Sequence, residues 1–176
     1  MGNPIALPLP FQEQTYWCWA AVSKGVADWY FQGSSQYRQC SIATSVLNVG
    51  DCCNGAPCNK VYDLDKALAA VGHYSGVTQY YSSQGPFDVA QQSIQAEIDA
   101  GRPIGAKITW RDGSGHFVVV CGYSFSDANN STLYVADPEC SSPPCPGVPQ
   151  MMSVDFYVFF SNYNGQGGCT ALYLTK

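Results

Sequence analysis

Cys18 stands in the stretch Gln12-Glu-Gln-Thr-Tyr-Trp-Cys18-Trp19-Ala20-Ala21, a thiol at the expected start of a helix with a tryptophan on either side. The unpaired N–H groups and dipole of a helix N-terminus stabilise a thiolate. Donors nearby can stabilise the oxyanion that forms when sulfur attacks a carbonyl. Here those donors are the backbone N–H of Cys18 and the side-chain amide of Gln12 or Gln14. Such a nucleophile needs a base, and the chain has two histidines. His116 lies in Gly113-Ser-Gly-His116-Phe-Val-Val-Val-Cys-Gly122, at the entrance to a β-branched strand and after glycines that permit close approach. That setting suits a general base. His73 follows a helix stop and reads as a solvated loop residue. A third group must fix the imidazole's tautomer and orientation. Asp137, in Tyr-Val-Ala-Asp137-Pro138, ends the strand that follows the His116 strand, with Asp112 and Asp127 as the alternatives in flanking loops.

The elements that must hold these groups fall into two halves. Cys18, Val22, Val26 and Trp29 recur at helical spacing, which predicts a helix over 18–30 with Thr15 as its cap. Ser41–Val49 is a second expected helix, ended by Gly50. Lys60–Val71 carries Leu64, Leu68 and Val71 on one face, with Gly72 as the stop. Val89–Ala100 is the fourth, carrying Ile94 and Ile98 and ended by Gly101-Arg102-Pro103. From there Ile104–Trp110, Gly115–Tyr123, Thr132–Ala136, Met152–Phe160 and Thr170–Thr175 have strand composition, separated by turn residues. Helices first and strands second is an α+β layout. A nucleophile on the first helix would then face a base on a strand across the seam.

The 176 residues suit one domain over 1–176, and 46% hydrophobic content supplies a core. Its helical lobe is expected over about 11–101 and its β lobe over about 102–176. A net charge of −5 without a basic cluster disfavours nucleic acid as a partner. No apolar run is long enough to span a membrane, and residues 1–10 lack the pattern of a signal peptide. Nine cysteines, an odd count, suggest one free thiol and up to four disulfides, with Cys18 the natural unpaired one. Cys40, Cys52, Cys53 and Cys58 are spaced for two local bridges, the adjacent pair Cys52 and Cys53 each reaching elsewhere. Cys140 and Cys145 flank a Pro-Pro loop, while Cys121 and Cys169 either bridge or are simply buried. No Cys-x-x-Cys pair or nearby histidine supports zinc at 40–58. Disulfides place the chain in an oxidising compartment, secreted or exported.

Taken together, these motifs resemble the papain-like cysteine peptidases. The carrying residues are Gln12 six positions before Cys18, Cys18-Trp19-Ala20, the His116-Phe-Val-Val-Val strand and the Asp137-Pro138 step. The Trp-Cys-Trp-Ala-Ala segment, the Cys40 and Cys52-Cys53 elements, and Asp at 137 are similar to a secreted bacterial branch. That branch includes effector peptidases and is related to double-glycine leader peptidases. The span from Cys18 to His116 is about 100 residues, shorter than the roughly 130–150 of papain and cathepsins. The resemblance implies a papain-like fold: an N-terminal helical lobe with the nucleophile helix packed on a C-terminal antiparallel sheet or half-barrel. It implies Gln12 as oxyanion donor, Cys18 as nucleophile, His116 as base and Asp137 as orienter of the imidazole. Trp17, Trp19, Trp110 and Gly115 would border the cleft, the alternative being that the tryptophans are core, as aromatics at helical spacing more often are. The expected activity is endopeptidase action on a protein or peptide substrate through a thioester acyl-enzyme, by a monomer needing no cofactor and no metal. A transglutaminase, peptide ligase or cell-wall amidase would use the same groups with another acceptor or bond, and an inactive disulfide-rich binding domain would use none of them.

Overall fold

The computed structural model describes residues 4–79, 87–126, 131–139 and 151–176. Its helices are α1 (Cys18–Tyr30), α2 (Gln39–Leu47), α3 (Leu64–Ala70), α4 (Phe87–Asp99) and α5 (Phe156–Ser161). Its strands are β1 (Tyr74–Gln79), β2 (Ile104–Trp110), β3 (Gly115–Phe125), β4 (Ser131–Ala136), β5 (Met151–Asp155) and β6 (Gly167–Thr175). All six strands join one antiparallel sheet in the order β1-β6-β2-β3-β4-β5. The fold is α+β, with helices packed against that sheet, as in papain-like peptidases.

The Val-rich run of β3 is buried from His116 to Tyr123 without alternation, the pattern of a strand covered on both faces. Both α1 and α4 pack on it. Nearly every residue of α1 from Cys18 to Asp28 is buried, which makes it a central helix rather than an amphipathic surface one. Its small residues let neighbours approach closely. A Cβ on Gly25 would lie 2.8 Å from Leu9 Cδ1 and 3.1 Å from Leu9 Cα, so the segment before α1 runs directly over it. That segment is tied at both ends. The Ile5 N–H donates to the Cys121 carbonyl at 2.7 Å, and the Gln12 N–H donates to the Pro138 carbonyl at 2.9 Å.

Several elements differ from their sequence-based expectation. Met152–Phe160 is not one strand: β5 ends at Asp155 and the chain turns into α5. Asp155 accepts the Val158 N–H at 2.9 Å as an N-cap, and Phe156, Phe159 and Phe160 bury one helical face. Lys60–Val71 is helical only over Leu64–Ala70, with the residues before it running extended through Asp63. The helix expected at Ser41–Val49 begins two residues earlier, and Asn48 ends it in the left-handed region at φ 53°. Thr15 does not cap α1; Trp17 occupies the N-cap position without a side-chain cap bond. β1 places a strand in the otherwise helical half, where it pairs with β6. His73 is not a solvated loop residue, since its ring stacks on Tyr30 and Nδ1 bonds the Lys176 carbonyl.

Cys40–Cys53 and Cys52–Cys58 are disulfides, so all four sulfurs of that group are bonded to one another. A single free thiol is not what the described residues hold: Cys18, Cys121 and Cys169 are all free and buried. Cys140 and Cys145 lie outside the described residues. Among the described residues no helix is long and apolar enough to cross a membrane. The two disulfides fit an oxidising environment.

Candidate functional site

Cys18 is the first residue of α1, so its backbone N–H has no partner within the helix. The local fold follows from its neighbours. Trp17 Nε1 donates to the Cys58 carbonyl at 2.7 Å, and Trp19 Nε1 donates to the Lys60 carbonyl at 3.0 Å. The exposed Tyr16 N–H adds a bond to Asn59 Oδ1 at 2.9 Å. Three donors thus fasten the helix start to the segment that follows the Cys52–Cys58 disulfide.

His116 enters from the first turn of β3, opposite Ile108 of β2. Its Nε2 bonds Asp137 Oδ1 at 2.7 Å, and Cys18 borders the same cavity close enough to hold up the imidazole's proton. Because Nε2 is occupied, Nδ1 is the nitrogen left for the thiol. Burial, the largest single influence on the imidazole, pushes its pKa down. The hydrogen bonds and charges of Asp137 and Cys18 together outweigh it and raise the value to about 10. The ring therefore keeps its proton at neutral pH.

Asp137 is held by three donors. Besides His116, the Glu139 N–H reaches Oδ1 at 2.9 Å and Tyr163 Oη reaches Oδ2 at 3.0 Å. Burial, and then the charge of Asp137, raises the Tyr163 phenol far above its ordinary value, so it stays a donor. Trp110 lies over the pair, its ring stacked on His116 at 6.1 Å and on Tyr163 at 6.2 Å. Just after Tyr163 the chain passes very closely between β2 and the end of α5. A Cβ on Gly167 would meet the Thr109 carbonyl at 2.2 Å, and one on Gly168 the Phe160 carbonyl at 2.3 Å.

Gln12 borders the same cavity as Cys18 and His116. Its Nε2 donates to the Thr15 carbonyl at 2.8 Å; a carbonyl only accepts, which fixes the amide nitrogen at that end. One hydrogen of Nε2 is left over. The cavity measures about 660 Å³, and Trp19, Trp110 and Gly115 border it together with Val61, Tyr62 and Lys107. Trp17 is instead only 2% exposed and lies in the core beside Cys58. Asp112 forms a turn with Ser114, which it accepts through both N–H and Oγ. Asp127 lies outside the described residues. The structure thus brings Gln12, Cys18, His116 and Asp137 to one place.

Two residues of this neighbourhood had no sequence signal of their own. Tyr163 follows a segment that reads as a strand, and only the α5 turn delivers it to Asp137. Gln39 lies next to Cys40 and is fully buried, although nothing in its local pattern distinguishes it from a surface glutamine. His116, Asp137 and Glu139 also offer three ligand atoms within 4.8 Å of one another. Two of those residues are already bonded to each other, which accounts for the cluster without an ion.

The other thiols are chemically different from Cys18. Burial pushes the Cys121 thiol up to about 12, and Cys169 is shifted upward by the same cause, so neither is a ready nucleophile. No curated protein matches the chain. Residues 5–143 match the Peptidase_C39 like family, a span that contains Gln12, Cys18, His116 and Asp137. The chain belongs to that family and is a cysteine peptidase.

Proposed function

We propose that the chain is an exported endopeptidase working through a Cys18–His116–Asp137 triad, with Gln12 and the Cys18 N–H receiving the oxyanion. One observation carries this reading: His116, bonded to Asp137, shares with Cys18 and Gln12 the wall of a cavity large enough for a peptide. The Cys18 thiolate attacks the scissile carbonyl and the new C–S bond places negative charge on oxygen. Collapse breaks the C–N bond as the His116 proton passes to the leaving amine. Water then attacks the thioester, giving its proton to His116, and the acid product departs as the thiolate re-forms. Asp137 orients the ring throughout, and stabilises the imidazolium before the first transfer and after the second. The two disulfides support action in an oxidising compartment, in keeping with a secreted effector or toxin domain acting as a monomer on a protein target.

The test is product analysis on a denatured protein. New N-termini are expected from the native chain and none from Cys18→Ala. Iodoacetamide is expected to label Cys18 in preference to Cys121 and Cys169 in the folded state. Crosslinks or released ammonia in place of new N-termini would transfer the same triad to acyl transfer or amide hydrolysis. An unreactive Cys18 would remove the triad altogether.

A further inference from the structure

Gln39, the first residue of α2, is a fully buried amide whose two ends are both used on the loop that carries Gln12. Its Nε2 donates to the Phe11 carbonyl at 2.7 Å, and its Oε1 accepts the Glu13 N–H at 3.0 Å. These two backbone groups flank Gln12 on either side. Both bonds agree on which end of the amide is nitrogen, so the orientation is fixed by its partners. The next residue, Cys40, is joined to Cys53, and α2 packs on α1, so the clamp is mounted on a stapled element of the nucleophile's own half.

Besides Gln39, the Gln12 N–H on the Pro138 carbonyl and the Tyr16 N–H on Asn59 Oδ1 hold this turn from outside. Gln12 is therefore fastened to the Asp137 side by its own amide and to the helical side by Gln39. Two such anchors hold the backbone on both sides of Gln12 in a loop that borders the same cavity as Cys18. A buried amide pairing with backbone on both sides has no equivalent replacement, because loss of either bond leaves a desolvated group unpaired.

We propose that Gln39 is a positioning residue that sets the Gln12 amide at the height where the oxyanion forms. The proposal rests on Gln12 being the oxyanion donor. Its chemistry is testable because two reactions of Cys18 differ in what they need. Peptide acylation develops an oxyanion; alkylation by iodoacetamide is displacement at a saturated carbon and develops none. Gln39→Glu keeps the acceptor for Glu13 but turns a carboxylate oxygen towards the Phe11 carbonyl, and Gln39→Met removes both bonds at similar length.

For both variants kcat on a peptide substrate is expected to fall on the order of 10- to 100-fold, with KM and the Cys18 alkylation rate each within about 3-fold of the parent. Gln12→Ala is expected to lose roughly 100- to 1,000-fold in kcat. The double variant Gln12→Ala/Gln39→Glu is expected to be no slower than Gln12→Ala alone, because the second change acts only through the first. Parallel changes in kcat and alkylation, or loss of the preference for Cys18 over Cys121 and Cys169, would make Gln39 merely structural and overturn the proposal. Full additivity in the double variant, with Gln12→Ala itself slow, would overturn it while leaving the oxyanion reading intact. Undiminished kcat in Gln12→Ala would overturn the oxyanion reading first, and this proposal with it.

Discussion

A histidine that is 6% exposed would ordinarily give up its proton on burial, and His116 keeps it only through its partners. Its value rises from 6.5 to about 10 because Asp137 and Cys18 together outweigh desolvation. The sign of the linkage follows. A group whose folded pKa lies above its unfolded one stabilises the fold fully below about 6.5, and that contribution disappears as pH rises through about 10. In the proposed mechanism the same proton reaches the leaving amine, so the alkaline limb of kcat/KM is expected near pH 10. Asp137→Asn removes one of the groups holding it up. That variant should shift the limb to lower pH and lose on the order of 10-fold or more in kcat/KM. A limb that stays in place on this substitution would separate Asp137 from the titration. Tyr163 adds a donor to the far oxygen of Asp137, which fixes the orientation of the carboxylate toward the imidazole.

At the scale of elements, the disulfide-bonded segment is joined to the cleft by hydrogen bonds rather than by a helix of its own. Donors from Tyr16, Trp17 and Trp19 hold residues 58–60, and the next residues, Val61 and Tyr62, border the cavity. Replacing both Cys52 and Cys58 by serine should lower unfolding stability by about 2–3 kcal/mol, as for a short closed loop. It should also raise KM several-fold while kcat changes little; an unchanged KM would detach this wall from substrate binding. The same elements explain what was legible beforehand. The bounds of α1 and β2 follow from sequence because helical spacing in one, and turn residues on both sides of the other, agree with their tertiary setting. α5 was hidden because Phe, Tyr and Val favour strands locally, and only the Asp155 cap and the shared burial of three phenylalanines decide for helix. Cys18, His116 and Asp137 could be read because their residue types are rare or their neighbours distinctive. Gln39 and Tyr163 could not, since each acts through a partner at least 26 residues away that leaves no local pattern.

The whole molecule is laced by its first residues. The segment before α1 bonds β3 through Ile5, packs Leu9 on Gly25, and reaches Pro138 through Gln12. Leu9 is 1% exposed. Leu9→Ala should therefore cost about 2–5 kcal/mol in urea unfolding. Because the same strap leads to Gln12, kcat should fall with it even where the protein remains fully folded. Loss of stability with unchanged kcat would show that the Gln39 clamp alone suffices to hold the turn.

That strap also imposes an order in time. Gln12 and Cys18 are made before His116, Asp137 and Pro138, and the Gln12 N–H bond to Pro138 that joins the two groups closes a long loop. Closures of that kind come late in folding. Until those residues have been made, Cys18 stands without His116 or the Pro138 anchor beside it. The candidate site is therefore assembled only once β3 and the segment after β4 have come to the helix that carries Cys18.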